Sequence, residues 1–265
     1  MLLAIGISNT FTEIGILDGS RITARDRVSS QGERTPLEYS VLFSSFMEMN
    51  GIRKSDIDGA ILSSVVPSLT SAVVKAVERA AGVNPLIVGP GVKSGLRIRI
   101  DDPRQLGADI AARAVGGISR YGSPLLLINM GSATTISVID GSGAFTGTVI
   151  VPGAGLSLNA LIDGTSQLPG IDLSAPRKVI GTNTVDSMKS GAVFGQAALI
   201  DGLAERILAE LGEEARIVAA GTYASAIIPH CKKKIQLDDE LLFLGLRLIF
   251  EKNSSGFSPR DSVQR

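Results

Sequence analysis

At 265 residues, with 44% apolar and 20% charged side chains, the chain can bury one large core or two of ordinary size, and its composition is globular rather than disordered or fibrous. Its 26 basic and 26 acidic side chains cancel, tryptophan is absent and aromatics are 4%, so neither an electrostatic footprint for nucleic acid or anionic membrane nor a base-stacking platform is expected. Cys231, the single cysteine, excludes an intrachain disulfide and a multi-cysteine zinc site and suits a reducing cytoplasm; the opening Met1 to Ile5 lacks a basic leader, and no run of about 18 apolar residues marks a membrane helix.

Leu2 to Ile7 and Ile14 to Leu17 read as two strands joined through the polar connection Ser8-Asn9-Thr10, with a turn at Asp18-Gly19. Pro36 to Asn50 carries Leu37, Val41, Leu42, Phe46 and Met47 close to the helical period, and Gly51 follows as a stop. Asp58 to Val66 is expected as a buried strand, Leu69 to Ala81 as a helix ended by Gly82, and Pro85 to Val88 as a short strand. Gly107-Ala108-Asp109 opens an alanine-rich helix through Ala111, Ala112 and Ala114. Strands alternating with helices imply an α/β fold.

The scheme then restarts. Pro124 to Ile128 and Ile136 to Ile139 read as strands around the small polar loop Gly131 to Thr135. Laid on the first hairpin, Leu2, Leu3 and Ile5 fall on Leu125, Leu126 and Ile128, and Thr12 falls on Thr135. After a one-residue gap, Asp18-Gly19-Ser20 falls on Asp140-Gly141-Ser142. An internal duplication accounts for this; the alternative is two unrelated hairpins that share apolar strands and a glycine turn. Val185 to Leu211 follows as a long helical stretch, Ile217 to Ala220 as a strand leading into Gly221-Thr222, and Glu240 to Lys252 as a closing helix. The expected organisation is an N-terminal lobe over 1–120, a C-terminal lobe over 121–253 and a polar, disordered tail over 254–265.

A strand, a turn of small polar residues and a returning strand can present backbone N–H groups to a phosphate, because small side chains let the backbone approach closely. Two such turns, one per lobe, would grip a nucleotide from both sides of a cleft, as in the duplicated kinases related to actin and the sugar kinases. Ser8-Asn9-Thr10 and Gly131-Ser132 are the candidates, and plain hairpin turns are the competing account. Neither resembles a Walker loop or a dinucleotide fingerprint. Asp109 is either a helix cap or a general base that takes a proton from a substrate hydroxyl. His230, Cys231 and Lys232 to Lys234 read as a solvated basic loop.

Taken together, Ser63-Ser64-Val65-Val66-Pro67, Val88 to Gly95, Asp102-Pro103-Arg104 with Gly107-Ala108-Asp109, Val151-Pro152-Gly153, Gly181 to Val185 and Gly245 to Leu248 resemble the type III pantothenate kinases, over nearly the whole chain. The resemblance implies a duplicated ribonuclease H-like, actin/sugar-kinase-like fold of two lobes, with mixed sheets flanked by helices. It implies ATP-dependent phosphorylation of pantothenate to 4'-phosphopantothenate, opening coenzyme A synthesis. It further implies Mg²⁺, a monovalent cation (K⁺ or NH₄⁺), and a dimer whose substrate sites are completed across the interface.

Carried over residue by residue, the first phosphate loop is Gly6-Ile7-Ser8-Asn9-Thr10, with Gly6 where the family has its metal-associated Asp. The second begins Asn129-Met130-Gly131-Ser132, so a neutral amide stands where the monovalent cation expects a carboxylate. Gly107, Ala108 and the base Asp109 are kept, while Ile110 replaces a substrate-binding Arg and Ile100 a substrate-contacting Tyr. Thr184, which reaches the neighbour's substrate site in the family, is intact. Losing a carboxylate beside the phosphates removes a hard-cation ligand, and losing the Arg removes paired donors. Three readings follow: an active kinase with a rebuilt site, a degenerate subunit in a heteromer with an intact homologous chain, or a non-catalytic protein that senses a ligand or serves as a scaffold.

Overall fold

In the computed structural model, which describes residues 1–30, 32 and 34–254, the chain divides into two compact units. The first comprises 1–96, 102–116 and the described residues from Glu240; the second comprises 97–101 and 117–239.

In the first unit, β1 (Leu2–Ile7) is buried at every position and pairs antiparallel with β2 (Phe11–Asp18), Leu2 opposite Leu17 and Ile7 opposite Thr12. β3 (Arg21–Ser29) completes a meander that the sequence does not announce. Only Ala24 of β3 is buried, and Arg21, Arg25, Asp26 and Arg27 are exposed, so the alternation of a half-buried strand is missing. α1 (Pro36–Met49) starts at a capping box in which Thr35 and Glu38 bond each other's backbone N–H, with Pro36 at the first helical position. β4 (Gly59–Ser64) runs parallel to β1 on its other side, α2 (Pro67–Ala81) follows, and β5 (Pro85–Ile87) closes the order β3-β2-β1-β4-β5. Leu3, Ile5 and Ile7 of β1 bury one face of this sheet against Tyr39, Phe43 and Met47 of α1 and Val73 and Val77 of α2.

The second unit begins with the two-residue β6 (Arg97–Ile98); after α3 (Ala108–Tyr121), which carries the chain from the first unit into the second, come β7 (Leu125–Met130), β8 (Ala133–Ile139) and β9 (Ala144–Pro152). α4 (Ala154–Asp163) leads to α5 (Thr184–Ser190), a π turn over Gly191–Gly195 and α6 (Gln196–Leu211), so the long helical stretch is present with an irregular turn inside it. β10 (Arg216–Ala220), the short α7 (Ala224–Ile227) and β11 (Gln236–Leu237) complete the sheet order β11-β10-β7-β8-β9-β6.

The duplication is visible in topology. Each unit holds a three-strand meander with a parallel strand beside its first member, β4 beside β1 and β10 beside β7. The register of the last two meander strands slips at corresponding places, between Ile16 and Leu17 and between Val138 and Ile139. The pairing corrects one correspondence. Ile7 faces Thr12 and Met130 faces Thr134, so Thr12 matches Thr134 rather than Thr135, because the second hairpin turn is one residue shorter.

The chain then returns to the first unit as α8 (Leu241–Asn253), so the division is not the single expected cut between residues 120 and 121. The physical reason is burial: Leu242, Phe243, Leu246, Ile249 and Phe250 pack on Leu2, Ala4, Leu17 and Ile61, the face of the sheet that α1 and α2 leave open. α8 meets α3 backbone to backbone, for a Cβ on Gly245 would clash with Ala112 O and one on Gly116 with Leu241 O. The expected tail over 254–265 falls outside the described residues except for Ser254, whose N–H donates to Phe250 O. Among the described residues no helix is long and apolar enough to cross a membrane.

Candidate functional site

The first loop is a tight turn closed by its own serine. Ser8 N–H and Ser8 Oγ both donate to Phe11 O at 2.9 Å, and Phe11 N–H donates to Ser8 Oγ at 3.2 Å. Asn9 is its exposed apex, and Thr10 O accepts from Ser30 N–H. Gly6 lies one residue before the end of β1 and is directly paired with Glu13 of β2. A Cβ on Gly6 would stand 2.5 Å from Leu242 Cδ2 and 3.6 Å from Ser63 Oγ, so α8 occupies the space a side chain at residue 6 would need.

Asp109 lies inside the first turn of α3, one residue after its start at Ala108. It is half-buried, and among the described residues its carboxylate receives no hydrogen bond, so the capping account fails. Gly107 leaves room for it: a Cβ there would stand 2.9 Å from Asp109 Oδ1. Ile110 follows, half-buried. Four residues after Asp109, one helical turn along the same face, Arg113 reaches β2 and pairs with Glu13, Nη2 to Oε2 at 3.3 Å. Neither Glu13 nor Arg113 stands out in the sequence reading. The available signal was an acidic residue inside an apolar strand and an arginine inside an alanine-rich helix.

The second unit holds the other candidates. Asn129 is half-buried near the end of β7, facing Thr135. Gly131 N–H donates to Ala133 O, and Ser132 O accepts from Gly153 N–H, which ties the second loop to the start of α4. The Oγ1 atoms of Thr134 and Thr135, just after the loop, are buried without a hydrogen-bond partner among the described residues. Ile100 follows β6, half-buried. Thr184 is the exposed first residue of α5, whose N-cap Asn183 accepts from Asp186 N–H at 2.9 Å. It lines a cavity of about 650 Å³ together with Ser157, Leu158, Leu161, Met188 and Gln196. In the basic loop, Lys232 and Lys233 donate their N–H groups to Asp201, and His230 meets Phe194 edge to face.

Residues 2–206 match the family model of the type III pantothenate kinases. The chain belongs to this family. A type III pantothenate kinase of Exiguobacterium sp. is 38% identical over 253 residues, covering 96% of this chain and 99% of its own. That of Shouchella clausii is 39% identical over 255 residues, covering 96% and 100%. Among solved structures, the activator of the 2-hydroxyisocaproyl-CoA dehydratase from Clostridium difficile, with bound ADPNP, superposes with a TM-score of 0.55 at 14% identity, covering 97% of this chain and 99% of that one. That likeness establishes the two-lobed actin/sugar-kinase-like fold. The positions expected to depart from the family pattern leave the elements intact: Gly6, Ile110 and Asn129 lie within β1, α3 and β7, and Ile100 just after β6.

The cations that the family implies meet these residues unequally. Asn129 keeps an amide oxygen that a potassium or ammonium ion can use, without the negative charge. A divalent cation at the first loop does not fit: residue 6 offers no ligand, and the space is filled by leucine. Among the described residues no three His, Cys, Asp or Glu side chains converge as a metal-holding group.

Proposed function

We propose that this chain transfers the γ-phosphoryl group of ATP to the primary hydroxyl of pantothenate, giving 4'-phosphopantothenate and ADP. The observation that carries the reading is Asp109, a half-buried carboxylate in the first turn of α3 that is free of hydrogen-bond partners among the described residues. It accepts the hydroxyl proton as the hydroxyl oxygen attacks the γ-phosphorus and the bond from that phosphorus to the β,γ-bridging oxygen breaks, the electron pair leaving with ADP. Ser8, Asn9, Thr10, Gly131 and Ser132 are assigned to the phosphates, one loop in each unit. Gly107, Ala108, Ile110 and Ile100 are assigned to pantothenate, with apolar contact at the last two where the family has polar groups.

Thr184 is assigned to the substrate site of a neighbouring copy. Its exposure beside the 650 Å³ cavity that it helps to line supports this, as do the exposed apolar residues Leu156, Val179, Ile180 and Val185 of the same unit. Purified protein incubated with radiolabelled ATP and pantothenate tests the reading. Labelled 4'-phosphopantothenate is expected, and turnover no higher than that of Asp109→Ala would overturn it.

A further inference from the structure

Gly6 offers a divalent cation no carboxylate, yet the same face of the same hairpin carries a charged pair. Glu13 is the residue directly opposite Gly6, so the two point to one face of the sheet with Cα atoms about 4.5 to 5.5 Å apart. On that face Arg113 comes down from α3. Its side chain is 11% exposed, against 33% for Glu13, and one bond of 3.3 Å joins them. A guanidinium carries five N–H donors, and a buried one left short of acceptors is costly. Among the described residues Arg113 Nε is buried without a partner, as is Ser63 Oγ, which stands 3.6 Å from where a Cβ of residue 6 would lie. Asp109, the other carboxylate on this side of α3, sits over Gly107 at the opposite end of the turn.

The inventory of this face is therefore unused donors around a resident cation, with its one strand carboxylate already paired to that cation. Such a set does not attract a hard dication, which wants oxygen ligands, but it suits a phosphoryl oxygen, which wants charged, forked donors. The position is right, since the Glu13 and Gly6 pair lies one residue pair below the Ile7 and Thr12 pair from which the Ser8 to Phe11 turn springs.

We propose that Arg113 stands in for the lost metal contact: its guanidinium, positioned by Glu13, binds the anionic phosphates of ATP at the first loop, so that this chain takes ATP without a divalent cation. The inference rests on the reading of ATP as the ligand. Calorimetric titration of the full chain with ATP, in EDTA and in excess Mg²⁺ at matched ionic strength, tests it. The expected result is dissociation constants within about threefold of each other. Arg113→Met should weaken binding in EDTA by about tenfold or more, and Arg113→Lys should recover part of it. Arg247→Met removes a comparably buried arginine from the same unit and serves as the folding control. Glu13→Gln keeps an oxygen that accepts from Arg113 and so holds the guanidinium in place, but removes the opposing charge, so ATP should bind at least as tightly as to the parent. Binding that tightens about tenfold or more with Mg²⁺ overturns the inference and leaves the kinase reading standing, as does equal loss in Arg113→Met and Arg247→Met. No ATP binding under either condition overturns both.

Discussion

Restoring the family carboxylate by Gly6→Asp should damage the fold before it improves the chemistry. The new Cβ would stand 2.5 Å from Leu242 Cδ2 and 3.5 Å from Leu242 Cγ, whereas carbon atoms rest about 3.5 to 4.0 Å apart. Leu242 is 2% exposed and wedged between sheet and α3, so its side chain has to leave its rotamer or α8 has to lift. Overpacking of this kind costs about 1 to 3 kcal/mol, and a polar group short of partners in a buried position adds about 1 to 3 more. Leu242→Ala alone opens a cavity and costs about 2 to 5 kcal/mol. In the double variant the volume released by one change receives the other, so the summed penalty should fall short of additivity by about 1 to 3 kcal/mol. Urea unfolding followed by circular dichroism gives the three values. A Gly6→Asp variant within about 0.5 kcal/mol of the parent, or a double variant that is strictly additive, would refute the claim that Leu242 fills the vacated carboxylate space.

Asp109→Asn should lower turnover by about 100-fold to 10,000-fold with little change in unfolding midpoint, because the carboxylate has no bond to lose among the described residues; steady-state assays beside a thermal melt separate the two. Gly245→Ala should cost about 3 kcal/mol or more, since its Cβ collides with the Ala112 carbonyl, which is backbone and cannot rotate away; soluble yield and urea midpoint report it. Asn129→Asp should raise the stimulation of turnover by K⁺ over Na⁺, and an unchanged ratio would count against that position as the cation site. Burial, and then the nearby charge of Asp201, push the Cys231 thiol from 9.0 up to about 12. Its neutral form is therefore favoured by folding: the stability it lends is complete below about pH 9 and falls as pH rises toward 12, because the unfolded thiol ionises first. Reaction with a thiol reagent at pH 8.5 should be slow until urea is added.

How much could be read in advance differs between fold and site. The paired hairpins, the helices after Thr35 and Val66, and the placement of Asp109 at a helix start were legible because apolar periodicity, prolines and glycine stops act locally. β3 was not, because an edge strand with one buried residue carries no alternation to read. The one-residue shift that matches Thr12 to Thr134 was hidden for a related reason: turn length fixes register, and only the ladder shows where the missing residue falls.

By itself the sequence determined which chemical groups this chain has, and so which it lacks: Gly6 has no side chain, Asn129 no charge, Ile110 no donor. It also determined the two paired hairpins and the main helices, since these elements are each specified within a window of about 10 residues. Only the tertiary structure decided what those absences mean. Residues 6, 13, 63, 113 and 242 are far apart in the chain, and they become neighbours because β1, β2 and β4 pair while α3 and α8 cover one face of them. Pairing brings Glu13 opposite Gly6, and burial obliges Leu242 to fill the space and Arg113 to find an anion.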